Sequence, residues 1–135
     1  QGFGAGYGKE RATVMPKRID REGPIQRAII QYLRASLPGC VVASVPNSTD
    51  VRGRSAAIAI AKQKRDGLLP GFPDVWCGWR GQALLIEVKA KGGRTSPAQD
   101  DVHERLRANG FDVIVAYGID DVTPAVAAMK AKERK

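Results

Sequence analysis

Two acidic side chains and a lysine in the middle of the chain are spaced so that they can meet in a β-sheet. In the apolar segment 84–89, side chains of an extended strand alternate between faces, so Glu87 and Lys89 share one face. Asp74 opens the preceding apolar segment, and a hairpin of the two segments would bring it towards Glu87. Converging carboxylates repel each other unless a cation lies between them, and Mg²⁺ prefers oxygen ligands. The three residues therefore predict a divalent-metal site, where Lys89 would orient water or stabilise phosphate charge.

Each residue also has a purely structural interpretation. Glu87 and Lys89 would form an exposed ion pair on a strand, a contact that adds little stability. Asp74 would be a turn residue that follows Pro73. The metal-site hypothesis requires all three side chains to meet at one place.

Three short motifs extend this pattern in a fixed order and spacing. They are Gly71-Phe72-Pro73-Asp74, Ile86-Glu87-Val88-Lys89-Ala90 and Ser96-Pro97-Ala98-Gln99. Over about residues 22–122 this set resembles the VRR-NUC domain, in its standalone form, of the PD-(D/E)xK nucleases. The resemblance implies a restriction-endonuclease-like α/β fold and a DNA nuclease that uses Mg²⁺ or Mn²⁺.

The resemblance also implies roles for individual residues. The side chains of Asp74 and Glu87 and the carbonyl of Val88 would bind the metal, and Lys89 would assist the attacking water. Glu22, just before the first helix, matches the acidic residue at the start of the family pattern and would hold metal-bound water.

Asn47 and Gln99 are two further candidates. Asn47 lies where related domains carry an asparagine before a basic helix, which makes it a candidate substrate contact. The resemblance places Gln99 at the site, whereas local rules favour a capping box in which Ser96 and Gln99 exchange hydrogen bonds at a helix start. His103, one helical turn further on, is predicted to be a helix-surface residue rather than a general base.

The elements that must position these residues follow from the spacing of apolar and turn-forming residues. Apolar residues at every fourth position predict a helix over 24–37. Further helices are predicted over 55–66, 96–109 and 122–130, and strands over 41–45, 74–79, 83–90 and 111–117. This order indicates an α/β domain at 19–135, with a central mixed sheet flanked by helices, after a flexible, Gly-rich basic tail at 1–18.

The net charge of +8 favours a polyanionic partner. Aromatic residues make up 6% of the chain, too few to favour a base-stacking platform. The candidate DNA contacts are Asn47, Arg52, Arg54, Lys62, Lys64, Arg65, Lys91 and Arg94. Each basic residue alone is equally well an ordinary solvated charge. Because no base-reading motif is visible, we expect recognition of shape and backbone rather than sequence.

Composition excludes several other classes. Hydrophobic residues make up 43% and charged residues 27% of the 135, a balance typical of one globular domain. There is neither an apolar run near the ~20 residues that span a bilayer nor a secretory signal pattern, so we predict a cytoplasmic protein of a bacterium or an infected host cell, with no membrane partner. Cys40, Cys77 and one histidine are too few for structural zinc. Both thiols are expected to be reduced core residues.

The resulting prediction is a metal-dependent, structure-specific DNA endonuclease. Standalone members of the resembled family suggest a homodimer that resolves four-way (Holliday) junctions in DNA repair. Two alternatives remain: a non-catalytic DNA-binding module of the same fold, and a restriction-type endonuclease that cuts at a specific sequence.

Overall fold

The computed structural model describes residues 19–46 and 55–133. Within those ranges the chain forms four helices and four strands, in the predicted order. They are α1 (Glu22–Ser36), β1 (Val41–Ser44), α2 (Ala56–Arg65), β2 (Val75–Trp79), β3 (Gln82–Val88), α3 (Pro97–Ala108), β4 (Asp112–Ala116) and α4 (Ile119–Glu133). The predicted tail at 1–18 lies outside the described residues.

The strands form one mixed sheet, as the sequence predicted, and their order in it is β1-β2-β3-β4. The first two pairings are antiparallel, and β3 pairs with β4 in parallel. A parallel pair needs a crossover connection, and α3 supplies it. The β2–β3 hairpin turns at Arg80 and Gly81, which both have positive φ (47° and 75°). Such a turn matches the twist of a sheet and fixes the register of the hairpin.

The main hydrophobic core lies between one face of the sheet and helices α1 and α4. Val75, Ile86 and Val88 face it from the central strands and are at most 1% exposed. Burying each such side chain contributes about 1.5–3 kcal/mol. Cys77 belongs to this core and Cys40 packs against it, both as free thiols, as predicted.

The opposite face of β3 is buried as well, because α3 covers it. Leu85 and Glu87 point to this side and are 2% and 1% exposed. Val102 and His103 of α3 are the buried residues of that helix. Glu87 is therefore a buried carboxylate, and the exposed ion pair considered from the sequence is excluded.

Two helices have boundaries that differ from prediction by two or more residues, and the last of them ends at Glu133 instead of residue 130. The first helix begins at Glu22 instead of residue 24, and the Asp20 side chain accepts a hydrogen bond from the Gly23 N–H at 2.8 Å. The last helix begins at Ile119 instead of residue 122, although Pro124 lies inside it. Proline lacks the N–H that would reach the Asp120 carbonyl, and the Thr123 hydroxyl donates to that carbonyl instead, at 3.1 Å.

Helix α2 packs least closely against the rest of the domain. It contains no buried residue, and Ile58 is 73% exposed. Its last turn carries Lys62, Lys64 and Arg65. Among the described helices, none has the length and apolar character that crossing a membrane requires.

Candidate active site

The hairpin register places Asp74 beside Glu87. Val75 pairs with Ile86, so the residue before Val75 falls next to the residue after Ile86. Asp74 Oδ2 accepts a hydrogen bond from the Val88 N–H at 2.8 Å, which ties the start of β2 to the end of β3. The two carboxylates therefore meet at the end of the hairpin that lies opposite its turn.

The preceding loop holds Asp74 close to the first turn of α3. Gly71 has φ of +91°, and a Cβ there would lie 2.5 Å from the Ala98 carbonyl oxygen. Only glycine allows the loop to approach the helix backbone so closely. Pro73, the residue before Asp74, is fully buried. The loop and the first turn of α3 thus fix the approach of Asp74 to the sheet.

Glu87 lies at the centre of a cluster of polar side chains. Its Oε1 accepts a hydrogen bond from Gln99 Nε2, and Lys89 Nζ lies 3.6 Å from the same oxygen. Its Oε2 has no hydrogen-bond partner among the residues that the structure describes. The Nε2 atom of His103 lies 3.9 Å from Oε2.

Burial raises the pKa of Glu87 to about 7, and the neighbouring Asp74 carboxylate adds to the rise. Lys89 lowers this pKa, but only in part. At neutral pH the site therefore does not readily hold two negative charges. A divalent cation between the carboxylates would remove this conflict.

The residues present fit such an ion. In a strand the N–H and C=O of one residue point to the same side, so the Val88 carbonyl points towards the edge where Asp74 accepts the Val88 N–H. Two carboxylates and a carbonyl form an all-oxygen donor set, which suits Mg²⁺ or Mn²⁺. Among the residues that the structure describes, no group of three His, Cys, Asp or Glu side chains could hold a metal. Water and substrate phosphate would thus have to complete the coordination, as is common for Mg²⁺.

Lys89 follows the last residue of β3. Its backbone N–H donates to the Ala116 carbonyl at 3.0 Å, which continues the pairing with β4 and fixes the main chain. Its side chain is 13% exposed. The ammonium group therefore lies at the rim of the site, beside Glu87 and partly open to solvent.

Gln99 serves both roles that the sequence suggested. Its Oε1 accepts from the Ser96 N–H at 2.9 Å and its own N–H donates to Ser96 Oγ at 3.2 Å, which completes the capping box. Its amide nitrogen donates to Glu87 at the same time. An amide has a donor end and an acceptor end, so the helix cap and the site are connected through one side chain.

The prediction that His103 lies on the helix surface is wrong. The side chain is 2% exposed, and it faces β3 next to Glu87. Burial lowers the pKa of His103, and the nearby Arg107 lowers it further. The spacing could have indicated this position, because His103 lies four residues after Gln99 and so shares its helix face.

Glu22 is the first residue of α1 rather than a residue before it, and it is exposed. Within the described residues it forms no hydrogen bond or ion pair with Asp74, Glu87 or Lys89. Its role stays a prediction.

The candidate DNA contacts fall into three groups. Lys62, Lys64 and Arg65 are exposed on the last turn of α2, where Lys62 pairs with Asp66. Lys91 and Arg94 are exposed in the loop between β3 and α3, next to Lys89. The remaining three, Asn47, Arg52 and Arg54, lie outside the described residues.

The fold is that of an α/β domain, with two carboxylates side by side at one end of its central hairpin. The profile of the VRR-NUC domain matches residues 20–120, and the chain belongs to that family. A solved structure named "VRR_NUC domain protein" has the same fold, with a TM-score of 0.62 and 22% identity over 82% of this chain and 88% of the other. Among curated proteins, none matches the chain. Family membership implies a nuclease-type function and DNA as the ligand.

Proposed function

We propose that this protein is a divalent-metal-dependent endonuclease that hydrolyses phosphodiester bonds in DNA. Asp74, Glu87 and the carbonyl of Val88 hold Mg²⁺ or Mn²⁺. The observation that carries the proposal is the pair of adjacent carboxylates, one of them 1% exposed, with Lys89 as the nearest compensating cation. Without a bound cation, such a pair costs folding energy that Lys89 offsets only in part.

Each residue of the site has a different role in the proposed reaction. A bound ion would polarise the scissile phosphate and lower the pKa of the attacking water. Lys89 orients that water or stabilises charge on a phosphate oxygen, because its ammonium lies beside Glu87 at the exposed rim. Gln99 fixes the Glu87 carboxylate through Oε1. Glu22 remains a candidate for holding metal-bound water.

The acidic pair, with Glu87 buried and Asp74 partly buried, also argues against a non-catalytic DNA-binding module. Carboxylates repel phosphates, so a module that only binds DNA gains nothing from Asp74 and Glu87. A restriction-type enzyme would need an element that reads base edges, and none is identified in residues 19–46 and 55–133. We therefore favour recognition of DNA structure, through the basic groups on α2 and in the loop after Lys89.

The test is a cleavage panel with single-stranded, duplex, flap and four-way DNA, in Mg²⁺, Mn²⁺ or EDTA. Asp74→Asn keeps an acceptor for the Val88 N–H and removes the charge, so it should fold and lose cleavage on every substrate. Asp101→Asn is the matched control, because Asp101 is exposed and pairs with Arg105 on the outer side of α3. Near-normal cleavage by Asp74→Asn, or cleavage in EDTA, would refute the proposed site.

The finer proposal is a homodimer that resolves four-way junctions. In a two-fold dimer, the two copies of the Asp74–Glu87 site would face two symmetry-related strands of a four-way junction. Sedimentation velocity at working concentrations should show a dimer, and the four-way substrate should be cut fastest. A monomer that prefers flaps would reject this form of the proposal without affecting the metal site.

A further inference from the structure

Two buried polar atoms without partners lie next to each other beneath α3. They are His103 Nε2 and Glu87 Oε2, 3.9 Å apart, on side chains that are 2% and 1% exposed. In the described part of the chain only one other buried side-chain atom lacks a partner, Gln82 Oε1, at the other end of β3. A buried polar group left unpaired costs about 1–3 kcal/mol. One contact between these two atoms would satisfy both.

The two groups are chemically complementary. An imidazole N–H is a donor, and an ionised carboxylate only accepts. His103 and Gln99 project from the same face of α3 onto Glu87, so the helix already directs both side chains at the carboxylate. The gap exceeds a normal N–H···O distance by less than about 1 Å, which a small side-chain rotation closes.

We infer that His103 is a positioning residue, whose Nε2–H donates a hydrogen bond to Glu87 Oε2 and fixes the orientation of the carboxylate towards the metal ion. This inference rests on the proposed function, because it assigns Glu87 as a ligand. His103 itself touches neither the ion nor the substrate.

The acceptor capacity of Glu87 allows this arrangement. A carboxylate has about four lone-pair directions, two on each oxygen. Gln99 and Lys89 face Oε1, and His103 faces Oε2. One direction on Oε2 remains for an ion. Partners that orient a ligand in this way typically change metal affinity by about 10–100-fold when they are removed.

The first test measures Mn²⁺ binding to the tag-free whole chain by calorimetry, without DNA. His103→Gln keeps an N–H donor at similar reach, whereas His103→Leu keeps the bulk and removes the donor. We expect His103→Leu to weaken Mn²⁺ binding by about tenfold or more, and His103→Gln to stay within about threefold of wild type. Equal affinities for the Leu and Gln variants would overturn the inference.

A matched control separates positioning from general destabilisation of α3. Val102→Ala removes volume from the neighbouring buried residue of the same helix. It should lower the melting temperature and leave Mn²⁺ affinity within about threefold. If Val102→Ala weakens binding as much as His103→Leu does, His103 has only a structural role.

The second test examines the contact without metal. The chain has a single histidine, so a long-range ¹H–¹⁵N spectrum of the tag-free protein contains one imidazole. We expect the Nε2–H tautomer in the metal-free protein, with an Nε2 shift that changes in Glu87→Gln. The Nδ1–H tautomer would overturn the inference whatever the metal data show. Failure of the wild type to bind Mn²⁺ would instead overturn the proposed function and the ion-orienting role with it.

Discussion

At the scale of single residues, Glu87 connects stability to function. Its pKa is raised from 4.5 to about 7, so between these pH values the metal-free folded state holds a proton that the unfolded state releases. The free energy of unfolding must therefore fall as pH rises through this window, and the loss persists above pH 7. Glu87, which would bind the ion, thus destabilises the folded protein when no ion is bound.

We predict that Glu87→Gln abolishes this dependence. Since about 2.5 pKa units correspond to on the order of 3 kcal/mol, the variant should be more stable than wild type by up to that amount above pH 7 in EDTA. Urea unfolding at several pH values from 4.5 to 8 measures the effect, with Asp101→Asn as the exposed control. Parallel pH profiles for wild type and Glu87→Gln would contradict the buried, destabilising carboxylate.

At the scale of elements, the N-terminus of α3 connects the helix cap to the site. Ser96 contributes only to the cap, whereas Gln99 closes the capping box and also donates to Glu87. The two residues therefore offer a matched pair for separating the cap from the site.

We predict that Ser96→Ala lowers the free energy of unfolding by about 0.5–2 kcal/mol, as expected for removal of a cap, and that Gln99→Ala lowers it at least as much, because it also removes the hydrogen bond to Glu87. Only Gln99→Ala should also reduce the cleavage rate, because it alone frees Glu87 Oε1. Thermal melts and initial cleavage rates on one substrate distinguish the two effects. An equal loss of activity in Ser96→Ala would mean that the helix start, rather than the Gln99 side chain, supports the site.

Among the elements that position the site, some could be predicted from the sequence and others could not. The meeting of Asp74 and Glu87 was predictable, since a tight turn at residues 80–82 and antiparallel pairing leave little choice of partner. The start of α4 was not predictable, because Pro124 inside the helix leaves the Asp120 carbonyl without its usual N–H donor. The Thr123 hydroxyl donates to that carbonyl instead. The prediction placed His103 on the surface because it counted only Val102 and Leu106 as the buried stripe of α3. A helix that packs on a sheet buries a wider stripe, and His103 belongs to it. No local rule fixes where Glu22 lies relative to the sheet.

At the scale of the whole molecule, basic groups also lie far from the candidate site, at the end of α4. The last turn of α4 carries Lys130 and Lys132. It lies at the turn end of the hairpin, where Gln82 donates to the Met129 carbonyl. That end is five residues from Glu87 along β3, roughly 16 Å at ~3.3 Å per residue. Lys130 and Lys132 are thus the natural comparison for the basic turn of α2, which we propose as a DNA contact.

We predict that replacing Lys62, Lys64 and Arg65 with Gln weakens DNA binding and lowers its salt dependence, while the Lys130 and Lys132 replacements change neither. Removing one charged group from a phosphate should reduce the slope of log affinity against log salt by about 0.9, so the slope of the triple variant should fall by about 2–3. Fluorescence anisotropy with labelled four-way DNA in EDTA measures this without cleavage. Since α2 has no buried residue, its fold should tolerate the changes. If both sets of variants lower the slope equally, the positive charge attracts DNA from the whole surface, and α2 makes no particular contact with the DNA backbone.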